Sequence, residues 1–343
     1  MLQRSAGGRF LEIVLFTIFS LVLYHVGNQV GIGIIVFLIP LQVLASRRGE
    51  ASLLAACGLF LLAFLALRTV PILSGQPGPD ILTIVEMILV AFLLASLLLV
   101  NFPPLARVRA LYRLLGVSAV AALAAVPMTI WLSGNAQFQK ALSALFADAS
   151  RMITSMFTGG LDTADSALLS LLSPEGIRRM SEAFLSRSAL ALFFGLLSFS
   201  WWAGQASASR SVWPPRARFH FSAFRLESFW LWVLIGALAL ILADLFFGSR
   251  LSGTGVYAQY AAWNIGLVVV FLYGLQGLAI GRFLFEKNGL PRFLWLMLLV
   301  VLAVLGASPR VGFFVILALA AFGVSENWIR LRVDPDRKPN EVD

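Results

Sequence analysis

The chain has 343 residues, 59% of them apolar and only 13% charged, about half the charged share of a soluble domain (roughly 25%). That balance excludes an ordinary soluble protein. Apolar runs of span length recur along it, so it reads as all-α, a polytopic transmembrane helix bundle whose first partner is the lipid bilayer. A transmembrane barrel is excluded as well, because barrel strands alternate in runs of about ten and these runs are apolar on every side. The net charge of +9 belongs with Arg and Lys in inner loops, and no nucleic acid is expected. The single Cys57 lies in an apolar run and reads as packing.

In chain order, Phe10 to Gly27 is the first span. Arg4 and Arg9 precede it and no small-residue cleavage site follows, so the helix is expected to be retained. Gly31 to Ala45 is shorter and carries Pro40, which allows a kinked crossing or a segment that only dips in. Ala51 to Val70 and Ile81 to Val100 follow, separated by the turn-rich stretch from Gly75 to Pro79. Beyond Pro103, Pro104 and the basic Arg107, Arg109 and Arg113, the fifth span runs from about Leu114 to Leu132, with Pro127 as the place for a kink.

The region 133–186 is helical without being a span. Phe138, Leu142, Leu145, Ala149, Met152 and Met156 recur at alternating four and three residues, with Lys140, Asp148 and Arg151 off that stripe. This predicts an amphipathic helix at the interface or capping the bundle. Ser173-Pro174-Glu175 writes a second helix start, which can run into the sixth span, Ser188 to Gly204. Phe229 to Phe247 is the seventh. The eighth begins near Tyr257 and reaches Phe283, and Phe293 to Leu305 and Val311 to Asn327 complete a count of ten. The count falls to eight or nine if the short segments only dip in.

Ten spans divide the chain into N-terminal membrane helices (1–132), an extracytoplasmic amphipathic region (133–186), C-terminal membrane helices (187–332) and a polar tail (333–343). With both termini in the cytoplasm, most basic residues fall in inner loops, and the 133–186 region is slightly acidic.

Ionisable residues inside spans are the natural candidates for function. His25, Arg68, Glu86 and Asp244 all fall near the outer ends of their helices, where together they would line a pocket for a small polar solute. The plainer reading pairs Arg68 with Glu86 and makes Asp244 a helix-end residue. Glu12, Glu286 and Glu326 sit beside basic residues near inner helix ends, where local ion pairing is expected. Asn264, Tyr273 and Gln276 are polar groups for interhelical contact, and Gly274, Gly277 and Gly281 form a small-residue strip for close helix packing. No phosphate-cradling loop, C-x-x-C or H-E-x-x-H occurs, so no cofactor or metal is expected, and no nucleophile–base pair marks an enzyme.

Three C-terminal stretches carry a resemblance: FSAFRLESF, FLYGLQGLAIGRFLFEKNGLPRF and FGVSENWIRLR. They resemble the YybS-like (DUF2232) family of bacterial integral membrane proteins, whose pattern is matched by Phe221, Phe224, Arg225, Leu226, Asn264, Tyr273, Gln276, Gly277, Leu278, Ala279, Gly323, Glu326, Trp328 and Arg332. The N-terminal half, with GIGIIVFLIPLQVLASRRGEASLLAA, is more loosely similar to substrate-binding S components of energy-coupling-factor transporters. The resemblance implies a bacterial inner-membrane protein with an S-component-like core. Two functions compete: binding or transport of a small polar solute from the outer face, and a scaffold or regulator acting through helix packing, self-association or a membrane partner.

Overall fold

The computed structural model describes residues 6–29, 31–73, 80–158, 172–208, 221–247, 254–329 and 331–332. Among these residues the regular structure is entirely helical. Seven of the described helices are long and apolar enough to cross a membrane, and two shorter apolar helices span Arg292–Gly306 and Val311–Ser325. The chain divides into two compact units, Met1–Arg216 and Ala217–Asp343.

The first unit holds α1 (Ala6–Gln29), α2 (Gly33–Val36), α3 (Leu38–Arg48), α4 (Glu50–Leu73) and α5 (Ile81–Val100). A 3-10 turn at Pro103–Arg107 leads to α6 (Ala110–Ser133), α7 (Ala136–Thr158) and α8 (Pro174–Ala208). The segment from Gly31 to Ala45 does not have the length of a span. Its longer piece, α3, has 11 residues, about 16 Å of helix against a hydrocarbon core of about 30 Å. The physical reason is local. Gly31 takes a positive φ of 75°, which ends α1 and turns the chain back. Pro40 falls in the first turn of α3, where its missing N–H would have had no intrahelical partner, so it starts a helix instead of kinking one.

This short helix is the core of the first unit. Leu38 and every residue from Pro40 to Ser46 are buried, with α1, α4 and α8 packed around them. Gly204 on α8 makes that possible, since a Cβ there would lie 2.3 Å from Cγ of Gln42. The helix begun at Pro174 runs without a break through the expected sixth span, as one helix of 35 residues. It packs in the first unit, against α3 and α6. The amphipathic α7 packs against α8, α5 and α6. Phe146 and Ser150 face inward, while Leu145 and Met152 of the apolar stripe stay exposed. The start of α5 is written by Asp80, whose carboxylate accepts the Thr83 backbone N–H at 2.8 Å.

In the second unit a turn at Phe221–Ala223 precedes α9 (Phe229–Phe247), α10 (Thr254–Lys287), α11 (Arg292–Ala307) and α12 (Pro309–Ser325). α10 is central: 44% of its apolar window is buried against 17% for α9, and both α9 and α12 pack on it. The tightest approach is between glycines. A Cβ on Gly277 would lie 2.1 Å from the Leu319 carbonyl oxygen, and one on Gly323 would lie 2.0 Å from the Tyr273 carbonyl oxygen. Gly281 faces the Trp295 ring at an ordinary contact distance, and Gly274 borders open space.

These environments separate two glycines on one helix. Gly277→Ala drives a methyl group into backbone and is expected to cost roughly 1–3 kcal/mol, the usual cost of overpacking. Gly274→Ala meets nothing and should hold or raise stability through helix propensity. Thermal unfolding of the two purified variants in the same detergent checks the contrast.

Candidate functional site

Among the described residues three polar clusters are built where elements meet, two in the first unit and one in the second. The first centres on Glu86 of α5. Its Oε1 accepts the Tyr24 hydroxyl at 2.5 Å and the Asn28 amide at 3.2 Å, both from α1. NH2 of Arg68, on α4, donates to Oε1 at 2.7 Å and to Oε2 at 2.6 Å. Tyr24 is placed by its ring, which stands edge-on to Phe37 at 5.4 Å and to Phe64 at 5.3 Å. The Arg68 guanidinium lies 5.5 Å from the Phe64 centroid, within cation–π range. The cluster is not sealed: the side chain of Arg68 is 34% exposed and that of Glu86 21%.

The second cluster lies deeper. Gln42 of α3 and Asn101 at the end of α5 exchange amide hydrogen bonds at 3.1 and 2.7 Å. Asn101 also caps its own helix by donating to the Leu97 carbonyl at 2.9 Å. Gln42 is fully buried, so its partly buried partner Asn101 satisfies an amide that neither water nor lipid reaches.

The third cluster joins the stretches that carry the family resemblance. Gln276 of α10 accepts the Leu226 backbone N–H at 2.9 Å through Oε1. Its Nε2 donates to the Gly323 carbonyl at 3.1 Å and to Oε2 of Glu326 at 2.9 Å. Arg332 grips Glu326 with two nitrogens, Nε to Oε1 at 2.7 Å and NH2 to Oε2 at 2.5 Å, and NH1 donates to the Ser222 carbonyl at 2.6 Å. The ion pair is enclosed, with side chains 10% and 4% exposed. Loop, central helix and the segment after α12 are thereby tied at one point.

The residues singled out from sequence fall unevenly on these clusters. Arg68 and Glu86 come together. His25 lies on α1 and is exposed, one position after Tyr24. Asp244 belongs to the second unit, where the Gln259 amide donates to its carboxylate. Asn264 donates to the Tyr260 carbonyl one turn back, and Tyr273 is fully buried against α12. Of the remaining motif positions, Leu226 and Ala279 are buried, Phe221, Phe224 and Leu278 are half-buried, and Arg225 and Trp328 are exposed. Glu286 pairs with Arg282 one turn away, at 2.7 Å. Glu12 instead reaches Arg48, 36 positions along the chain. Tyr24, Asn28, Gln42 and Asn101 were missed by sequence reasoning; a lone amide or hydroxyl in an apolar run was the available signal. Among the described residues no group of His, Cys, Asp and Glu is placed to hold a metal.

A family model described as "Predicted membrane protein (DUF2232)" matches residues 13–320. No curated protein and no solved structure matches the chain.

The third cluster makes an ordered prediction. Glu326→Leu strands the enclosed Arg332 charge and is expected to cost roughly 3–5 kcal/mol. Gln276→Leu removes three hydrogen bonds averaging about 0.6 kcal/mol each, about 2 kcal/mol together, and should cost less. Adding Arg332→Leu to Glu326→Leu should recover part of the loss, because the stranded charge is gone. Chemical or thermal unfolding of the three variants in one detergent gives the order.

Proposed function

The chain belongs to the DUF2232 family of predicted membrane proteins, and within it we propose that this member binds a small polar solute at the Arg68–Glu86 cluster of its first unit. The observation that carries the reading is how Arg68 is used. Only its NH2 is spent on Glu86, and among the described residues Nε and NH1 carry no hydrogen bond. A guanidinium inside a membrane span is costly to keep. Glu86 neutralises the charge, while two faces of the donor fork remain for an acceptor from outside the chain. Because the pair is neutral overall, the matching solute is neutral or zwitterionic and offers a carbonyl, hydroxyl or carboxylate oxygen.

On this reading Tyr24 and Asn28 hold Glu86 still, so that Arg68 is presented in a fixed orientation. His25 borders the same end of α1, and entry is from the outer face. The looser resemblance of the N-terminal half to S components agrees with a solute-binding role. The scaffold reading is less well supported, because the Gly277 surface it would offer to a partner is already occupied by α12 within the chain.

Purified protein screened by thermal shift against amino acids, nucleosides, sugars and water-soluble vitamins should yield a stabilising compound. Arg68→Lys, which keeps the charge but not the fork, should weaken its binding by tenfold or more, about 1.4 kcal/mol. A hit whose shift is unchanged in Arg68→Lys, or the lack of any hit at millimolar concentration, would remove the proposal.

A further inference from the structure

The Arg68–Glu86 cluster lies beside a second carboxylate. Between Arg68 and Glu86 the sequence holds one other charged residue, Asp80. It is the exposed N-cap of α5, where its Oδ1 accepts the Thr83 N–H at 2.8 Å. Glu86 follows six residues later on the same helix, about 9 Å of rise. Arg68 reaches across from α4 to Glu86, which brings its charge to the same end of α5 as Asp80. The Asp80 carboxyl is held below its usual range, first by hydrogen bonding at Thr83, with the positive charge of Arg68 adding to the effect. From 68 to 86 the chain thus carries one positive and two negative charges, and Arg68 spends its ion pair on Glu86.

This distribution narrows the choice between a neutral and a zwitterionic solute. A guanidinium matches a carboxylate better than a hydroxyl or a carbonyl, through charge-assisted hydrogen bonds. A carboxylate arriving alone would add a third negative charge beside Glu86 and Asp80. A solute with its own cationic group avoids that, and Asp80 is placed to meet the cation. Oε1 of Glu86 already accepts from Tyr24, Asn28 and Arg68, whereas Asp80 is exposed at the rim. We infer that the solute bound at the Arg68–Glu86 cluster is an amino acid-like zwitterion, with its carboxylate on Arg68 and its ammonium group toward Asp80. The inference rests on the solute-binding reading above and names the class of solute.

Asp80→Asn isolates the charge, because asparagine caps a helix as well as aspartate does and the start of α5 is kept. The probes are the standard amino acids, β-alanine and γ-aminobutyrate, each beside the carboxylic acid that lacks its amine. Calorimetric titration of the full chain in detergent should show a preference for the amine of about threefold or more, the scale of an exposed ion pair. Asp80→Asn should bring each amino acid and its amine-free acid within about twofold of one another. Arg68→Lys should weaken both members of a pair alike. A preference that persists in Asp80→Asn would overturn the role of Asp80. An Arg68-dependent solute that carries no amine would overturn the zwitterion and leave the site standing. No Arg68-dependent binding at all would remove the site, and this inference with it.

Discussion

Glu326 is a carboxylate held almost out of contact with solvent, and the described part of the second unit is arranged around keeping it there. Its side chain is 4% exposed, in a setting where an uncompensated charge would favour unfolding. Arg332 supplies the counter-charge and Gln276 a further donor. Those contacts require α10 and α12 to lie closer than ordinary side chains allow, which is what Gly277 and Gly323 permit. Glycine packing and polar satisfaction are therefore one constraint: without the close approach, Gln276 could not reach the Gly323 carbonyl. The anchored Leu226 N–H and Ser222 carbonyl extend that constraint to the loop before α9.

The first unit meets the same demand with a different device. Instead of two long helices pressed together, it buries a helix of 11 residues and lets longer ones surround it. A short buried helix brings its own terminal groups and its Gln42 amide into the apolar interior. The exchange with Asn101 answers the amide, and Gly204 leaves room for it. Near α3's start, the Ser20 hydroxyl donates to the Phe37 carbonyl, and Tyr24 carries the aromatic contacts outward to Glu86. Position and charge are thus set in layers, from the buried Gln42 amide to a half-open ion pair.

How much of this was legible in the sequence depends on the range of the interaction. Long apolar runs give helix ends directly: the stretches from Ile81 to Val100 and from Phe229 to Phe247 coincide with α5 and α9. Spacing rules also reach as far as a helix face, which is why Gly277 stood out. Pairings across the fold leave no periodic trace. Gln42 and Asn101 are 59 positions apart, and nothing local marks either as the other's partner. Glu12 shows the same limit: nearby arginines favoured a local pair, yet the turn at Gly31 brings Arg48 back beside it. The membership of α8 in the first unit was equally hidden, because an apolar helix does not state which neighbours it covers. Gln276 and Glu326 were visible as individual polar residues, but their meeting depends on the crossing of α10 and α12.

The three ways in which this chain handles an arginine in or near its apolar bundle order its surfaces by what they leave unfinished. Arg332 is finished: three nitrogens, two carboxylate oxygens and a backbone carbonyl close the account among themselves. An outside molecule could enter only by breaking the second unit's tie. Arg68 is neutralised but not saturated, so an added acceptor gains hydrogen bonds without having to displace Glu86. Arg113 differs from both: among the described residues its enclosed Nε has no acceptor and no carboxylate pairs with it. The degree of internal compensation thus orders what each place leaves open: nothing at the first, hydrogen-bond donors without net charge at the second, and an enclosed donor at the third. This separates the two accessible arginines by physics that does not depend on how the helices are oriented in the membrane, since it rests only on which charges the chain has already paired.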